Sequence, residues 1–257
     1  MIEENTYLLV VNASNMQKDL DWINSHNTFD CKIDNQSDNY SLLAVQGPRS
    51  IDLLQELTDV NLTEIKYYNF KIGSIAGVED VILSRTGYTG EIGFELYVRN
   101  EDTRTLWDAL FSTKIQMKAI GLAARDTLRL EKGFCLYGND INDTTSPVEA
   151  GLGWITKFNK EFVSYENLKI QKEEGTSRKL VGIELVEKGI ARKDYPIIDK
   201  EGNQIGLITS GTMSPTLNKS IAMGYVSTKF TSIHSEVYIQ IRKKKVKSKI
   251  VSLPFVK

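Results

Sequence analysis

The carboxyl-terminal part of the chain carries the pattern that most restricts the possible fold. From about Lys179 to Lys257 it consists of short runs in which apolar and polar residues alternate, among them KLVGIELV, QIGLITS, AMGYVS and EVYIQI. Residues typical of turns, such as DKEGN at 199–203, separate these runs. Side chains on a strand point alternately to two faces, so this pattern predicts strands with one buried face. We therefore expect a separate all-β module, a small barrel or a jelly roll.

The part of the chain before this module mixes strand and helix patterns. The segment YLLVV at 7–11 consists of residues common in strands and is predicted to be one. Met16, Leu20 and Ile23 follow at helical spacing, which predicts an amphipathic helix. Further strands are predicted at 42–45 and within 65–98, and further helices after Pro48 and at about 102–111, 123–133 and 164–175.

The composition excludes several classes of protein. With 257 residues, 41% of them hydrophobic and 25% charged, the chain has the composition of a globular protein and not of a disordered or fibrous one. Its formal net charge of -1 predicts no strong attraction to nucleic acid or to anionic membranes. No apolar run approaches membrane-spanning length, and no signal or transit pattern precedes the first predicted strand.

The cysteines and histidines indicate a reducing compartment and disfavour metal chemistry. Cys31 and Cys135 lie far apart and form no CxxC pair, which fits a cytoplasmic protein better than a disulfide-bonded one. Cys135 lies among apolar residues, so we expect a buried and inert thiol. The two histidines, His26 and His234, belong to no HExxH motif, and we expect neither a zinc site nor a Ser-His-Asp triad.

A glycine-rich motif stands at the mouth of a predicted strand. SRTGYTGEIGFELYV at 84–98 places glycines at 87, 90 and 93 ahead of an alternating run that contains Glu95. Glycines are typical of tight turns and of close approach between backbones. Glu95 shares a strand face with Gly93 and Tyr97, and alternation alone favours a carboxylate that points to solvent. The alternative is a paired or functional carboxylate, because a lone buried charge is costly.

Two further segments have both a functional and a plainer structural interpretation. Arg125 could reach a ligand while Asp126 pairs with Arg129, or these residues could belong to a surface ladder of ion pairs. The segment 135–154, which ends in Trp154, could be a functional loop or an ordinary Ω-loop.

The basic run IRKKKVKSKIV at 241–251 has the charge of a nucleic-acid-binding patch. It contains no aromatic residue on which a base could stack, and apolar residues interrupt the lysines. A solvated strand or hairpin is therefore the favoured interpretation.

Three long segments, taken in their order and spacing, resemble one family. They are SRTGYTGEIGFELYV, GLAARDTLRLEKGFCLYGNDINDTTSPVEAGLGWITKF, and IARKDYPI followed by GLITSGTMSPTLNKSIAMGYV. Together they closely resemble the aminomethyltransferase, or T-protein, family of the glycine cleavage system, and VVNASNMQKDLDWI and VQGPRS also fit. The resemblance runs essentially from Tyr7 to Phe255.

The resemblance implies a fold class and a reaction. The family's α+β fold implies, in this chain, a remnant of an α+β domain at 1–40, a central folate-binding α+β domain at 41–175 and a β-barrel or jelly roll at 176–257. The family transfers an aminomethyl group from the lipoyl arm of the H-protein to tetrahydrofolate and releases ammonia. It thus implies tetrahydrofolate as co-substrate, a lipoylated H-protein as partner, and no metal, nucleic acid or membrane.

The resemblance also implies which residues form the site. The folate-contacting tyrosine, glutamate and arginine of the family fall on Tyr88, Glu95 and Arg125, and a strand asparagine falls on Asn12. Glu95 would accept the two adjacent N–H donors of the pterin edge, since a carboxylate offers two acceptors in matching geometry. Trp154 is expected to line the pocket.

Other functions stay open at this stage. The family's catalytic acid belongs to an Asp-Asp pair ahead of YLLVV, a place that falls upstream of Met1, so no catalytic residue is assigned within the chain. The alternatives are a non-catalytic remnant that binds folate or the H-protein, and a folate-dependent demethylase. Arg192, in IARK, is expected to face the H-protein or the tail of the folate.

Overall fold

Two units make up the structure, a computed structural model that describes residues 1–29 and 31–257. The first unit comprises Met1–Thr86 and Ile92–Gln116. The second comprises Gly87–Glu91 and Met117–Lys257. The glycine-rich motif therefore contributes its middle to the second unit and its two flanks to the first.

A four-stranded antiparallel sheet forms the body of the first unit. Its strands are β1 (Tyr40–Gln46), β2 (Phe70–Ile75), β3 (Val78–Ser84) and β4 (Gly93–Arg99), in the order β1-β4-β3-β2. Phe94, Leu96 and Val98 of β4 are buried, whereas Glu95 and Tyr97 alternate with them on the opposite face. This is the alternation that the sequence predicts, and it places Glu95 in an interior strand on the side away from these core residues.

Three helices belong to the first unit, and all three are predicted from the sequence. They are α1 (Met16–Ser25), α2 (Ser50–Gln55) and α3 (Thr103–Phe111). Leu54 of α2 and Leu106 and Leu110 of α3 are buried in the core. In α1 the predicted apolar face is half-buried and no residue is fully buried, so this helix is less tightly held than the other two.

The prediction of a strand at 7–11 is wrong. These residues have an irregular conformation with exposed apolar side chains, and Tyr7 and Leu9 are 67% and 66% exposed. A strand is stabilised by hydrogen bonds to a neighbouring strand, and within residues 1–29 and 31–257 no strand pairs with this segment. Strand propensity without a partner does not produce a strand.

A closed six-stranded barrel forms much of the second unit, which confirms the all-β module predicted from the sequence. The strands are β5 (Arg178–Leu185), β6 (Pro196–Ile198), β7 (Gln204–Ser214), β8 (Lys219–Ser227), β9 (Glu236–Ile241) and β10 (Lys244–Val251), in the cyclic order β10-β5-β8-β7-β6-β9. Isoleucines and valines fill the interior, among them Ile183, Ile208, Val237 and Ile250. The basic run lies in the β9–β10 hairpin, where Val246 and Ile250 point inward and the intervening lysines do not.

Two helices precede the barrel in the second unit, as predicted. They are α4 (Leu122–Glu131) and α5 (Tyr165–Glu174). Leu130 of α4 packs with Ile221 and Met223 of β8. Gly133 and Gly175 follow these helices with φ of +69° and +89°, the left-handed backbone that glycine adopts at helix ends. No helix in the described part of the chain is long and apolar enough to cross a membrane.

Candidate functional site

Tyr88 and Arg125 meet in the second unit. The Arg125 guanidinium carbon lies 4.6 Å from the centroid of the Tyr88 ring, and the Phe134 ring stacks with Tyr88 at 5.9 Å between centroids. The Tyr88 hydroxyl donates a hydrogen bond to the carbonyl oxygen of Cys135. The side chain of Tyr88 is thus fixed at its ring and at its tip.

The Tyr88 hydroxyl stays protonated at neutral pH. Burial, which disfavours the phenolate, is the largest cause that raises the pKa of Tyr88 to about 12, and the charge of Asp140 raises it further against the opposing charges of Arg129 and Arg125. The hydroxyl is therefore a donor, as its contact with the Cys135 carbonyl requires. Burial also raises the pKa of the Cys135 thiol to about 11, which agrees with the expected inert thiol, although Cys135 is half-buried and not buried as expected.

Gly90 shapes the loop that carries Tyr88. Its φ is +73°, and a Cβ at this position would lie 2.2 Å from Cγ of Lys132. Glycine meets both requirements, because it adopts positive φ without strain and has no side chain to collide with the lysine stem. The loop consequently lies directly against the end of α4, which also carries Arg125.

Arg129, which the sequence assigned at most to an ion pair with Asp126, is fully buried. It makes the predicted contact, with its Nη2 2.7 Å from Oδ1 of Asp126, and its Nη1 also lies 2.6 Å from Oδ2 of buried Asp140. Burial lowers the pKa of Arg129, but Asp140 and Asp126 raise it on balance, so the guanidinium remains charged. The interpretation of these residues as a surface ladder is therefore wrong. No helical spacing links Arg129 to Asp140, and the sequence offers no signal for this pair.

Glu95 is held in the first unit by a neighbouring hydroxyl. Thr86 Oγ1 donates to Oε2 of Glu95 at 2.5 Å, and the carboxylate is half-buried. On the same face, burial and then the charge of Glu95 raise the pKa of Tyr97 to about 12. Glu95 thus points away from the core, as alternation favours, and is also paired, as the functional interpretation requires.

Gln46, which the sequence did not single out, explains the glycine two residues before Glu95. Gln46 of β1 lies opposite Gly93 of β4, and its Nε2 donates to the carbonyl oxygens of Thr86 and Phe94 at 3.1 Å each. A Cβ on Gly93 would lie 2.4 Å from the amide group of Gln46. The amide of Gln46 therefore ties the backbone on both sides of the motif around Glu95.

Asn12, Trp154 and Arg192 are exposed. Asn12 Oδ1 accepts from the backbone N–H of Ser14 at 3.1 Å, and Asn12 is exposed ahead of α1. Trp154 is 66% exposed. Arg192 Nη1 donates to the carbonyl oxygen of Gly211 at 3.1 Å. Among the described residues, no hydrogen bond, ion pair or ring contact joins Asn12 to Glu95 in the first unit, or Trp154 or Arg192 to Tyr88 or Arg125 in the second.

The site residues offer hydrogen bonding and stacking. Within residues 1–29 and 31–257 no group of three or more His, Cys, Asp or Glu side chains is arranged to hold a metal ion. What the two units present is a half-buried carboxylate in the first and a tyrosine–arginine stack in the second. A carboxylate suits a ligand that offers adjacent N–H donors. A tyrosine–arginine stack suits an aromatic ring or an anionic group.

Comparison with known proteins links the sequence to one family. Residues 1–160 match the family model described as the GCVT N-terminal domain, and residues 178–257 match the glycine cleavage T-protein C-terminal barrel domain. An aminomethyltransferase of Flavobacterium psychrophilum is 57% identical over 258 residues, which cover 100% of this chain and 72% of the relative. An aminomethyltransferase of Bacteroides fragilis is 54% identical over 257 residues, which cover 98% of this chain and 71% of the relative.

A solved structure shows the same architecture. The crystal structure of the glycine cleavage system aminomethyltransferase T from Bartonella henselae matches with a TM-score of 0.87 and 33% sequence identity. The match covers 95% of this chain and 67% of the Bartonella chain.

Proposed function

The chain belongs to the glycine cleavage T-protein family of aminomethyltransferases, and we propose that it transfers the aminomethyl group of a lipoylated H-protein to tetrahydrofolate, with release of ammonia. The observation that carries the proposal is the agreement with both family models and with aminomethyltransferases that are 57% and 54% identical over 100% and 98% of this chain. Family members use tetrahydrofolate and act with the H-protein; for this chain both are part of the proposal.

Glu95 is proposed to bind the edge of the pterin. The 2-amino group and the adjacent ring N–H of a pterin are two parallel donors, and a carboxylate presents two acceptors at the same spacing. The hydrogen bond from Thr86 holds one oxygen of Glu95, so the carboxylate is oriented before a ligand arrives. Preorganisation of this kind lowers the entropy cost of binding.

Tyr88 and Arg125 are also proposed to contact the folate. The hydroxyl of Tyr88 is bound to the Cys135 carbonyl, so the tyrosine contributes its ring to a ligand and not its hydroxyl. Arg125 is exposed apart from its contact with that ring, and its guanidinium suits a carboxylate or carbonyl of the folate. Asn12 and Trp154 are proposed as further contacts on the family resemblance alone.

Transfer needs the folate nitrogen and the carbon of the aminomethyl group held in a reactive geometry. Positioning supplies a large part of the rate of such a reaction, because two bound reactants no longer have to meet and orient in solution. Glu95 can fix the pterin in its plane through two hydrogen bonds. The proposed contact residues bind and orient; the proton transfers of the reaction are not assigned to any of them.

The test is tetrahydrofolate-dependent release of ammonia from aminomethyl-loaded H-protein, with the 257-residue chain as catalyst. We expect release that requires the chain, the loaded H-protein and tetrahydrofolate together. Folate binding without release would instead identify a non-catalytic binding protein. Demethylation of a small methylated donor without any H-protein would identify the demethylase alternative.

A further inference from the structure

We propose that the buried ion pair of Arg129 and Asp140 is a positioning device for Tyr88, which acts by fixing the backbone on both sides of Cys135. The inference rests on the function proposed above, because it assigns Tyr88 a role in folate binding. It concerns two residues that touch no ligand in that proposal, so they are positioning residues and not catalytic ones.

Arg129 has no donor left for a ligand. A guanidinium carries five N–H donors, and the structure provides five polar contacts to four acceptor atoms. Nε and Nη2 bind Oδ1 of Asp126 at 2.8 and 2.7 Å, Nη1 binds Asp140 Oδ2 at 2.6 Å and the Phe134 carbonyl at 3.0 Å, and Nη2 binds Ser210 Oγ at 2.8 Å. Arg129 therefore binds other groups of the protein and not a ligand.

Asp140 is saturated in the same way. Its Oδ2 accepts from Arg129, from the backbone N–H of Leu136 at 2.9 Å and from Ser210 Oγ at 2.9 Å. Its Oδ1 accepts from Thr209 Oγ1, and its side chain is fully buried. A buried carboxylate with this number of donors has one stable orientation, because any rotation leaves several of them unpaired.

The contacts of the pair converge on residues 134–136, the segment that holds Tyr88. Arg129 binds the carbonyl of Phe134, and Asp140 binds the N–H of Leu136, so the peptide groups on either side of Cys135 are fixed. The Cys135 carbonyl accepts the Tyr88 hydroxyl, and the Phe134 ring stacks with the Tyr88 ring. The hydrogen bond to Cys135 and the ring contact with Phe134 thus both depend on the segment that the ion pair holds.

A second buried carboxylate, on the helix that carries Arg129, supplies a matched control. Glu131 is 3% exposed, and its Oε1 and Oε2 accept from the hydroxyls of Ser214 and Thr216 at 2.5 and 2.8 Å. No contact in the described part of the chain joins the Glu131 carboxylate to Phe134, Cys135 or Leu136. Loss of its charge weakens the contacts to Ser214 and Thr216 and removes none of the hydrogen bonds of Arg129 or Asp140.

The experiment compares tetrahydrofolate affinity of the folded variants Asp140→Asn and Glu131→Gln, each titrated well below its melting temperature. We expect both substitutions to lower the melting temperature. Asp140→Asn should weaken tetrahydrofolate binding by about tenfold, because misplacement of a contact residue costs affinity. Glu131→Gln should leave the Kd within twofold of that of the unchanged chain. Equal Kd values for all three proteins would overturn the inference.

A double-mutant cycle with Tyr88→Phe tests whether Asp140 affects tetrahydrofolate binding through Tyr88. Tyr88→Phe removes the bond to Cys135, so it should weaken binding on its own, and Asp140→Asn should add little to it. Multiplicative effects on the Kd would show that Asp140 acts elsewhere and would overturn the inference. Should Asp140→Asn not fold, Ser210→Ala, which removes one shared partner of the pair and keeps both charges, takes its place in the cycle with the same expectation.

Failure of this inference is distinguishable from failure of the proposed function. If the unchanged chain does not bind tetrahydrofolate, the proposed function is wrong and the positioning role falls with it. If the unchanged chain binds and the variants bind equally well, the function stands and only the positioning role is overturned.

Discussion

The charge of Glu95 is the single-residue feature on which the proposed folate site depends most. We expect Glu95→Gln to raise the Kd for tetrahydrofolate by about 30-fold, or about 2 kcal/mol, measured by titration. The amide keeps the size of the side chain but replaces one acceptor with a donor, which would face the donors of the pterin edge.

Glu91→Gln is the control for that substitution. Glu91 belongs to the same motif, is exposed, and loses the same charge on substitution. We expect the Kd of the Glu91→Gln variant for tetrahydrofolate to stay within twofold of that of the unchanged chain. If the two variants bind equally well, Glu95 does not contact the folate.

The glycine at position 93 is required by the side chain across from it. We expect Gly93→Ala to lower the free energy of unfolding by about 2 kcal/mol, because the new Cβ would overlap the Gln46 amide at 2.4 Å. In a Gln46→Ala background the same substitution should cost clearly less. Urea denaturation of the four proteins measures this coupling, and equal costs in both backgrounds would contradict the steric explanation.

At the level of residues, prediction from the sequence succeeded where strand alternation or helical spacing determines the position of a side chain. The alternation of β4 located Glu95 on the face opposite Phe94, and the i, i+3 spacing located the Asp126–Arg129 contact. The Arg129–Asp140 pair was missed because its partners lie on a helix and in a loop, where no period relates them. Its burial depends on β7, which supplies Ser210 from far along the chain.

At the level of elements, a turn at 146–149 fastens the segment after α4 to the barrel. Ser146 and Glu149 bind each other reciprocally, since the Ser146 N–H donates to Glu149 Oε1 at 3.0 Å and the Glu149 N–H donates to Ser146 Oγ at 3.2 Å. Arg178 at the start of β5 then binds both carboxylate oxygens, at 2.9 and 3.1 Å. This S-x-x-E pattern is readable in the sequence, whereas its arginine partner is not.

This turn predicts a pH-dependent contribution to stability. Burial alone would raise the pKa of Glu149, but the hydrogen bonds from Arg178 and from the Ser146 backbone lower it on balance. A carboxyl whose pKa is lower in the folded state stabilises the fold at pH above its unfolded pKa of about 4.3, and this contribution is lost as the pH falls through the folded value.

We therefore expect Glu149→Gln to cost about 1 kcal/mol of unfolding free energy at pH 7, a modest value because solvent screens half-exposed Arg178. The difference from the unchanged chain should shrink once the pH has fallen through the lowered pKa. Glu166→Gln, at an exposed glutamate in the first turn of α5, serves as the control. Its unfolding free energy should differ little from that of the unchanged chain, both at pH 7 and at a pH below the lowered pKa of Glu149. If Glu149→Gln lowers the unfolding free energy equally at these two pH values, the assigned direction of the Glu149 pKa is contradicted.

On the scale of the whole molecule, the sequence predicted those parts of the fold whose stability is local or repeated. The barrel was predictable because each of its strands carries the same alternation, and the helices because each carries an apolar face and an end signal such as Gly133 or Gly175. The segment 7–11 was mispredicted because strand propensity says nothing about whether a partner strand is present. The division of the glycine motif between two units likewise depends on contacts that no local pattern encodes.

The charge distribution of the whole chain supports a last prediction, on the basic run of the β9–β10 hairpin. Arg242, Lys243 and Lys244 are exposed, and their side chains form no ion pair within the described residues. Replacement of all three by alanine should leave the free energy of unfolding within about 0.5 kcal/mol and the tetrahydrofolate Kd unchanged. Lys247→Ala is the matched control on the same hairpin, because Lys247 pairs with Glu236 at 2.5 Å and its removal should cost slightly more stability. Denaturation and titration test both variants, and a large loss of folate affinity in the triple variant would show that the run belongs to a binding surface and not to a solvated hairpin.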